Sequence, residues 1–178
     1  VELDDAGVRR ALNHSGLLDA IAALFARAIG ELTVEATPVK LLGEPYRLSD
    51  TPKFTWRRMI VPAQKTIFNV VACYNPLEAE FALFLDRCDD IDRFAALAEW
   101  FTHFHVQYLS GSGAVRLYYP DFVAVQTTEA GPVNWIIETK GREFDDTDAK
   151  ARHMARWCEE VGQESGETWR YLKVPQTV

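Results

Sequence analysis

Apolar residues repeat at helical spacing in several parts of the chain. One such stretch predicts a helix from Gly16 to Ile29. A second helix is predicted from Pro76 to Asp86, because Asn75 is a good N-cap and proline suits the first turn. The Ile91–Trp100 stretch is interpreted as a shorter helical piece, and a last helix is expected to start at Asp145 or Asp146 and run to about Gly162.

Extended segments are indicated by alternating or continuous apolar runs that are bounded by turn residues. Before Tyr74, prolines break the chain into short strand-like pieces at Leu32–Leu42, Phe54–Val61 and Thr66–Cys73. After Tyr74, strands are predicted at Phe104–Leu109, Val115–Thr127, Val133–Lys140 and Trp169–Val174, with turns at Ser110–Gly113 and Glu129–Pro132. The Val115–Thr127 stretch is expected to be bent or interrupted near Pro120. The Trp135-Ile136-Ile137 run indicates a strand that is buried on both faces.

The order of these elements predicts the fold class and the domain organisation. From residue 75 onwards it is helix, three strands, helix, strand, which is typical of an α/β protein with a mixed sheet flanked by helices. Residues 1–74 are interpreted as a connector or accessory segment, and residues 75–178 as the domain that carries the chemistry. The chain begins at Val1 instead of Met, so we expect it to be part of a longer protein.

Three polar residues stand out on this scaffold. Asp121 opens one predicted strand, and Glu138 and Lys140 close the next, two positions apart and therefore on the same face. The midpoint between positions 121 and 138 falls between Glu129 and Ala130, inside the predicted turn. In an unslipped antiparallel hairpin the two carboxylates are then cross-strand neighbours, roughly 5 Å apart at Cβ.

Two carboxylates this close repel each other unless a cation lies between them. Oxygen ligands suit Mg²⁺, with Mn²⁺ as a substitute, and such an ion polarises a phosphate and lowers the pKa of a bound water. We therefore expect Asp121 and Glu138 to bind the metal, with the Thr139 carbonyl as an additional ligand. Lys140 would hold the attacking water and offset charge in the transition state.

The same residues resemble a known nuclease signature. The runs Tyr119-Pro120-Asp121-Phe122 and Ile137-Glu138-Thr139-Lys140-Gly141 match the PD-(D/E)XK pattern. The wider stretch from Asn75 to about Val174 is similar to the C-terminal endonuclease domain of type III restriction enzymes, in their helicase–nuclease subunit. The resemblance implies a restriction-endonuclease-like αβββαβ core and Mg²⁺-dependent cleavage of double-stranded DNA that leaves 5′-phosphate and 3′-hydroxyl ends. It also implies a helicase motor and a modification subunit as partners.

The resemblance also suggests residues outside the signature. Some of these nucleases place a further glutamate on the first helix near the metal; Glu78 fits that position best and Glu80 is the alternative. Either carboxylate is favourable in the first turns of a helix in any case. Lys150 lies where family members often carry a polar residue that faces the site.

Composition changes this picture in one respect. The 178 residues are 48% hydrophobic and 25% charged, as in ordinary globular proteins, but the formal net charge is −7. An acidic chain is expected to bind DNA weakly by itself. A non-catalytic module that holds DNA or docks partner subunits is therefore kept as an alternative, and so is a repair or resolvase nuclease with the same chemistry.

Other candidate sites are weaker. Cys73, Cys88 and Cys158 form no C-x-x-C pair, so we expect reduced thiols and a cytoplasmic protein. His103 and His105 form a conceivable zinc pair, although core or edge histidines are the preferred interpretation. A basic stretch interleaved with aromatic residues is either a patch that contacts a nucleic-acid backbone or a solvated strand face; its members are Lys53, Phe54, Trp56, Arg57, Arg58 and Lys65.

Overall fold

A mixed α/β architecture is seen in the computed structural model, which describes residue 7 and residues 15–35, 46–110, 115–140 and 147–175. The helices are α1 (Ser15–Glu35), α2 (Pro76–Arg87) and α3 (Thr147–Ser165), with a 3₁₀ turn at Leu48–Asp50. The strands are β1 (Met59–Val61), β2 (Val71–Cys73), β3 (Ile91–Ala96), β4 (Val106–Leu109), β5 (Val115–Tyr118), β6 (Phe122–Thr128), β7 (Gly131–Lys140) and β8 (Thr168–Pro175).

The central sheet has the strand order β3-β6-β7-β8. Strand β6 pairs antiparallel with both β3 and β7, and β7 pairs parallel with β8. Helix α3 connects the two parallel strands, as a parallel pair requires. The predicted mixed sheet is therefore confirmed. Two smaller antiparallel pairs, β1–β2 and β4–β5, lie beside it.

The sheet separates two hydrophobic cores. Ile137 faces a cluster that includes Phe81 of α2 and Phe94 of β3, whereas Ile136 faces a cluster that includes Met154 of α3 and Tyr118 of β5. Both isoleucines are almost fully buried, so β7 is covered on both faces, as its apolar run predicts.

The last part of the predicted accessory segment belongs to the first of these cores. Val61 of β1 and Val71 and Cys73 of β2 pack in the same cluster as Phe81 and Phe94. The division at residue 74 remains a prediction, but residues 59–73 share a core with the elements that follow them.

Helix α1 has a different environment. The prediction of a helix from Gly16 to Ile29 is confirmed, but large apolar side chains on it are more than half exposed: Leu18, Leu24, Phe25, Ile29 and Leu32. The helix contacts β4 at the edge of the fold. Among the described helices, none is both long enough and apolar enough to cross a membrane.

One helix prediction is wrong. The Ile91–Trp100 stretch forms strand β3 and a following turn. Its alanines favour a helix locally, but Phe94, Ala95 and Ala96 are all buried in the ladder with β6. Tertiary pairing therefore overrides local propensity at this position.

The interruption predicted near Pro120 is confirmed, and other strand predictions need correction. Val115–Thr127 forms two strands that join different sheets, with the break at Pro120, which has no N–H for a ladder. Residues 32–35 of the predicted strand Leu32–Leu42 belong to α1, and residues 36–42 lie outside the described part. Of Phe54–Val61 and Thr66–Cys73, only the final three residues of each are strand.

Candidate active site

The β6–β7 hairpin brings Asp121 and Glu138 to the same end of the sheet. Phe122 pairs with Ile137, and the Asp121 N–H donates to the Ile137 carbonyl at 3.1 Å, so positions 121 and 138 are opposite each other. The register predicted from the turn is therefore observed. At the other end, Gly131 follows the two-residue turn with φ of 114°, a conformation that favours glycine.

Glu138 is buried, with 7% of its surface exposed, and its carboxylate is held from two later elements. The Lys150 ammonium of α3 lies 2.7 Å from Oε1, and the Tyr171 hydroxyl of β8 donates to Oε2 at 3.3 Å. Lys150 also lies 3.8 Å from the centre of the Tyr118 ring, a cation–π contact.

Two tyrosines surround Glu138 on this face of the sheet. Burial, followed by the charge of Glu138, raises the pKa values of the Tyr118 and Tyr171 hydroxyls, so both stay protonated. The Tyr118 hydroxyl is buried and makes no hydrogen bond of normal geometry among the described residues. Glu138 and Tyr171 both act on this hydroxyl, so it belongs to the same polar pocket.

The Asp121 carboxylate has its own partners. Its Oδ2 accepts the Thr139 N–H at 2.6 Å and the Thr139 hydroxyl at 2.8 Å. Burial raises the Asp121 pKa to about 6; the Thr139 hydrogen bonds act in the opposite direction, and the charge of Glu138 raises the pKa further. Thr139 thus orients Asp121 through its N–H and hydroxyl, and the role of its carbonyl as a metal ligand remains a prediction.

Glu78 lies in the first turn of α2, beside Asp121. Asn75 caps the helix by accepting the Glu78 N–H, and the Glu78 carboxylate reaches back to the Tyr74 N–H and the Asn75 amide, both at 2.6 Å. The arrangement is similar to a capping box, but the Glu78 carboxylate accepts the N–H of the residue before the N-cap and the side-chain amide of the N-cap itself. Glu78 is 5% exposed, whereas Glu80 is on the exposed side of the helix. Of the two alternatives, Glu78 is therefore the one that faces inward.

Burial also raises the pKa of Glu78, to about 7. The Tyr74 N–H lowers it, the charge of Asp121 raises it, and Arg58 lowers it. Glu78, Asp121 and Glu138 thus form a row of electrostatically coupled carboxylates across the end of the sheet. A cleft of about 180 Å³ opens at the part of this row formed by Glu78 and Asp121. It is lined by Tyr74, Glu78, Leu97, Glu99, Tyr119, Pro120 and Asp121.

Lys140 ends strand β7, opposite Pro175 of β8. It follows Glu138 by two positions, as the signature requires, but its side chain lies outside the described part of the chain, as do residues 141–146. The proposed role of Lys140 therefore remains a prediction.

Several residues of this site were missed by sequence reasoning. Tyr171 and Tyr118 reach Glu138 only because β8 joins β7 in parallel and because β5 separates from β6. Glu99 lines the cleft from a segment predicted to be helical. No local pattern marks these positions, since each depends on pairing between distant strands.

The donor atoms at the site fit a hard divalent cation. Asp121 and Glu138 offer carboxylate oxygens, and Mg²⁺ typically takes one or two carboxylates and completes its shell with water and substrate oxygens. Burial and the charge of Glu138 raise the pKa of Asp121, and a bound cation would act in the opposite direction. In the described ranges, no three His, Cys, Asp or Glu side chains are clustered closely enough to hold a metal by themselves.

The remaining candidate residues are histidines and cysteines. His103 and His105 are exposed and lie against aromatic rings, those of Tyr46 and Tyr119 respectively. Cys73, Cys88 and Cys158 are free thiols. In comparisons with known proteins, no protein-family model, curated protein or solved structure matches this chain.

Proposed function

We propose that the chain is a divalent-metal-dependent DNA endonuclease domain of the PD-(D/E)XK class. The observation that carries this proposal is the hairpin register, which sets Asp121 opposite Glu138 at a buried sheet end with Glu78 beside them. In this proposal, α2, β3, β6, β7, α3 and β8 form the αβββαβ core of a restriction-endonuclease-like fold, into which the β4–β5 hairpin is inserted.

Each side chain then has a task in phosphodiester hydrolysis. Asp121, Glu138 and the Thr139 carbonyl would hold Mg²⁺, which would supply charge stabilisation for the phosphate and a more acidic water. Thr139 orients Asp121, and Lys150 and Tyr171 orient Glu138. Lys140 would hold the attacking water and neutralise charge that develops on the phosphate oxygens. Glu78, which is buried next to Asp121, would shape the outer shell of the site.

The biological setting is proposed from the sequence resemblance. A type III restriction-type assembly would add a helicase motor and a modification subunit, and these would supply site recognition on double-stranded DNA. The net charge of −7 agrees with a domain that relies on such partners for part of its DNA affinity. A repair or resolvase nuclease would use the same residues in the same way.

One observation favours a second candidate, a non-catalytic module that docks partners or holds DNA. Each carboxylate in the row is already held by protein hydrogen bonds: Glu78 by Tyr74 and Asn75, Asp121 by Thr139, and Glu138 by Lys150 and Tyr171. A purely structural site needs only these hydrogen bonds and no metal ion. Metal binding separates the two candidates, because a docking module does not require it.

Nicking of supercoiled plasmid with Mg²⁺ or Mn²⁺ tests the proposal. We expect the wild type to nick the plasmid and both Asp121→Ala and Lys140→Ala to be inactive while retaining the wild-type circular dichroism spectrum. Glu129→Ala is the matched control, because Glu129 is an exposed carboxylate at the opposite end of the same hairpin. Equal nicking by wild type and Asp121→Ala would exclude this site.

If the isolated wild type does not nick DNA, the binding of Mn²⁺ to the protein is measured by calorimetric titration. Binding that disappears in Asp121→Asn would retain the metal site and point to a requirement for the motor. The absence of binding would favour the docking module.

A further inference from the structure

An aromatic ring stands out from the protein surface beside the cleft. Trp100 follows β3, and 72% of its surface is exposed. A large aromatic side chain in this position loses the stabilisation that burial of its apolar surface would provide. Exposed aromatic surface next to a cleft is typical of a binding site.

The turn that carries Trp100 is firmly built. The Ala98 carbonyl accepts the N–H of Phe101 at 2.7 Å, and both the N–H and the hydroxyl of Thr102, at 3.0 and 3.2 Å. Thr102 is fully buried, and Phe101 stacks on Phe54 with ring centres 4.3 Å apart. The residues around Trp100 are therefore anchored, so its exposure does not come from a loosely packed loop.

A row of rings leads from Trp100 to the carboxylates. The Trp100 and Tyr119 ring centres are 6.1 Å apart, and those of Tyr119 and His105 are 5.6 Å apart. Tyr119 lines the cleft together with Asp121, which follows it by two residues. Two residues of extended chain span at most about 7 Å, so Tyr119 is the ring that links Trp100 to the part of the cleft formed by Asp121.

Cationic groups lie near the cleft as well. The Arg58 guanidinium is 4.9 Å from the centre of the Tyr74 ring, and Tyr74 is another lining residue of the cleft. Trp56 packs edge-on against the same ring at 4.8 Å. Lys53 and Arg57 of this segment are exposed. The basic and aromatic stretch noted in the sequence therefore reaches the cleft through Arg58 and Trp56.

We propose that Trp100 and Tyr119 stack on unpaired bases of a DNA strand whose phosphates pass Arg58 and the carboxylate row. Aromatic rings that stack on bases, together with cations that follow the backbone, are how proteins bind single strands without reading sequence. A base inside an intact duplex has both faces covered by its neighbours. The substrate class is therefore single-stranded DNA, or a duplex that is locally unpaired next to the cut.

Binding tests this surface without any cleavage. Fluorescence anisotropy of a labelled oligothymidine, measured with EDTA, compares the wild type with Trp100→Ala. We expect about tenfold weaker binding in the variant, because the loss of one stacked base typically lowers affinity by about this factor. Phe84→Ala, which removes an exposed ring from α2, is the matched control and should bind like the wild type.

A second variant separates stacking from charge. Arg58→Ala should weaken the binding of single-stranded and duplex DNA alike and reduce the salt dependence, because it removes a phosphate contact. Trp100→Ala should weaken the binding of single strands and leave the binding of a duplex of equal length unchanged. Equal single-strand binding by the wild type and Trp100→Ala overturns the proposal.

The role of these bases in cleavage rests on the proposed function. With Mn²⁺, the wild type should cut an oligonucleotide duplex that carries an unpaired stretch faster than a fully paired one, and Trp100→Ala should lose this preference. Equal cutting of both duplexes by the wild type overturns the assigned substrate class and leaves the nuclease standing. Trp100-dependent binding without any cleavage supports the surface, and the titration with Mn²⁺ described above then decides whether the proposed catalytic function stands.

Discussion

Two opposing influences act on the pKa of the Asp121 carboxylate. Thr139 donates two short hydrogen bonds to it, which favours the charged form, yet burial and Glu138 raise its pKa to about 6. Because its pKa is raised in the folded protein, the charged form of Asp121 costs stability above about pH 6. Such tension is common where side chains serve chemistry.

Replacement of Asp121 should therefore stabilise the protein in the absence of metal. Asp121→Asn retains an oxygen that accepts the Thr139 hydrogen bonds and removes the charge that faces Glu138 and Glu78. We expect the melting temperature in EDTA to rise by about 2–4 °C, which corresponds to about 1 kcal/mol for a chain of this size. Differential scanning calorimetry with EDTA and with Mg²⁺ checks this, and only the wild type should gain stability from Mg²⁺. A lower melting temperature of Asp121→Asn in EDTA would contradict the argument.

The pH dependence of stability should reveal the buried charge of Glu78. Its pKa is raised from 4.5 to about 7, so its contribution to stability is complete below pH 4.5 and is lost as the pH rises through 7. Glu78→Gln mimics the protonated form. Relative to the wild type in EDTA, we expect the variant to be more stable at pH 8 and to lose this advantage by pH 5. Thermal melts across this range provide the measurement, and a difference that does not change with pH would show that Glu78 ionises normally.

At the scale of elements, the hairpin that creates the site could be predicted from its turn. Glu129 and Ala130 are the turn, and the register follows by counting from it, so the opposition of Asp121 and Glu138 was available from sequence. The sequence did not predict that residues 91–96 form a strand, because the apolar spacing of residues 91–100 suits a helix. Only the pairing with β6 makes this segment a strand. The contacts of Tyr171 with Glu138 were also hidden, since parallel pairing across α3 leaves no local trace.

Gly131 should control this hairpin, because it adopts a φ of 114° at the start of β7. A Cβ at this position meets no atom within 4 Å, so the cost of Gly131→Ala is backbone strain alone, about 1–3 kcal/mol. Urea denaturation of Gly131→Ala, with Ala130→Ser in the same turn as the control, measures this loss. If the two variants are equally stable, the positive φ at Gly131 does not make glycine necessary in this turn.

At the scale of the whole molecule, one sheet connects two cores that contain different cysteines. Cys73 lies in the core beneath α2, and Cys158 lies in the core beneath α3. Burial raises the pKa of both thiols to about 11, whereas Cys88 is partly exposed. Because β6 and β7 contribute to both cores, we expect the two cores to unfold together.

Thiol labelling should report this cooperativity. With a thiol reagent at pH 8, Cys88 should react first, and Cys73 and Cys158 should react later, at one common rate set by global unfolding. Cys88→Ser should remove the early phase and leave the later one unchanged. Two distinct slow rates, assigned by peptide mapping, would show that one core opens without the other.

The way in which Glu138 is held also has a consequence for the order of events during synthesis. Its partners Lys150 and Tyr171 belong to α3 and β8, which leave the ribosome after β7. The β6–β7 hairpin can pair as soon as it emerges, but its carboxylate has no fixed position until β8 has joined the sheet. A chain still being made therefore carries an unfinished site, and any hydrolytic activity would begin only when this last strand is in place.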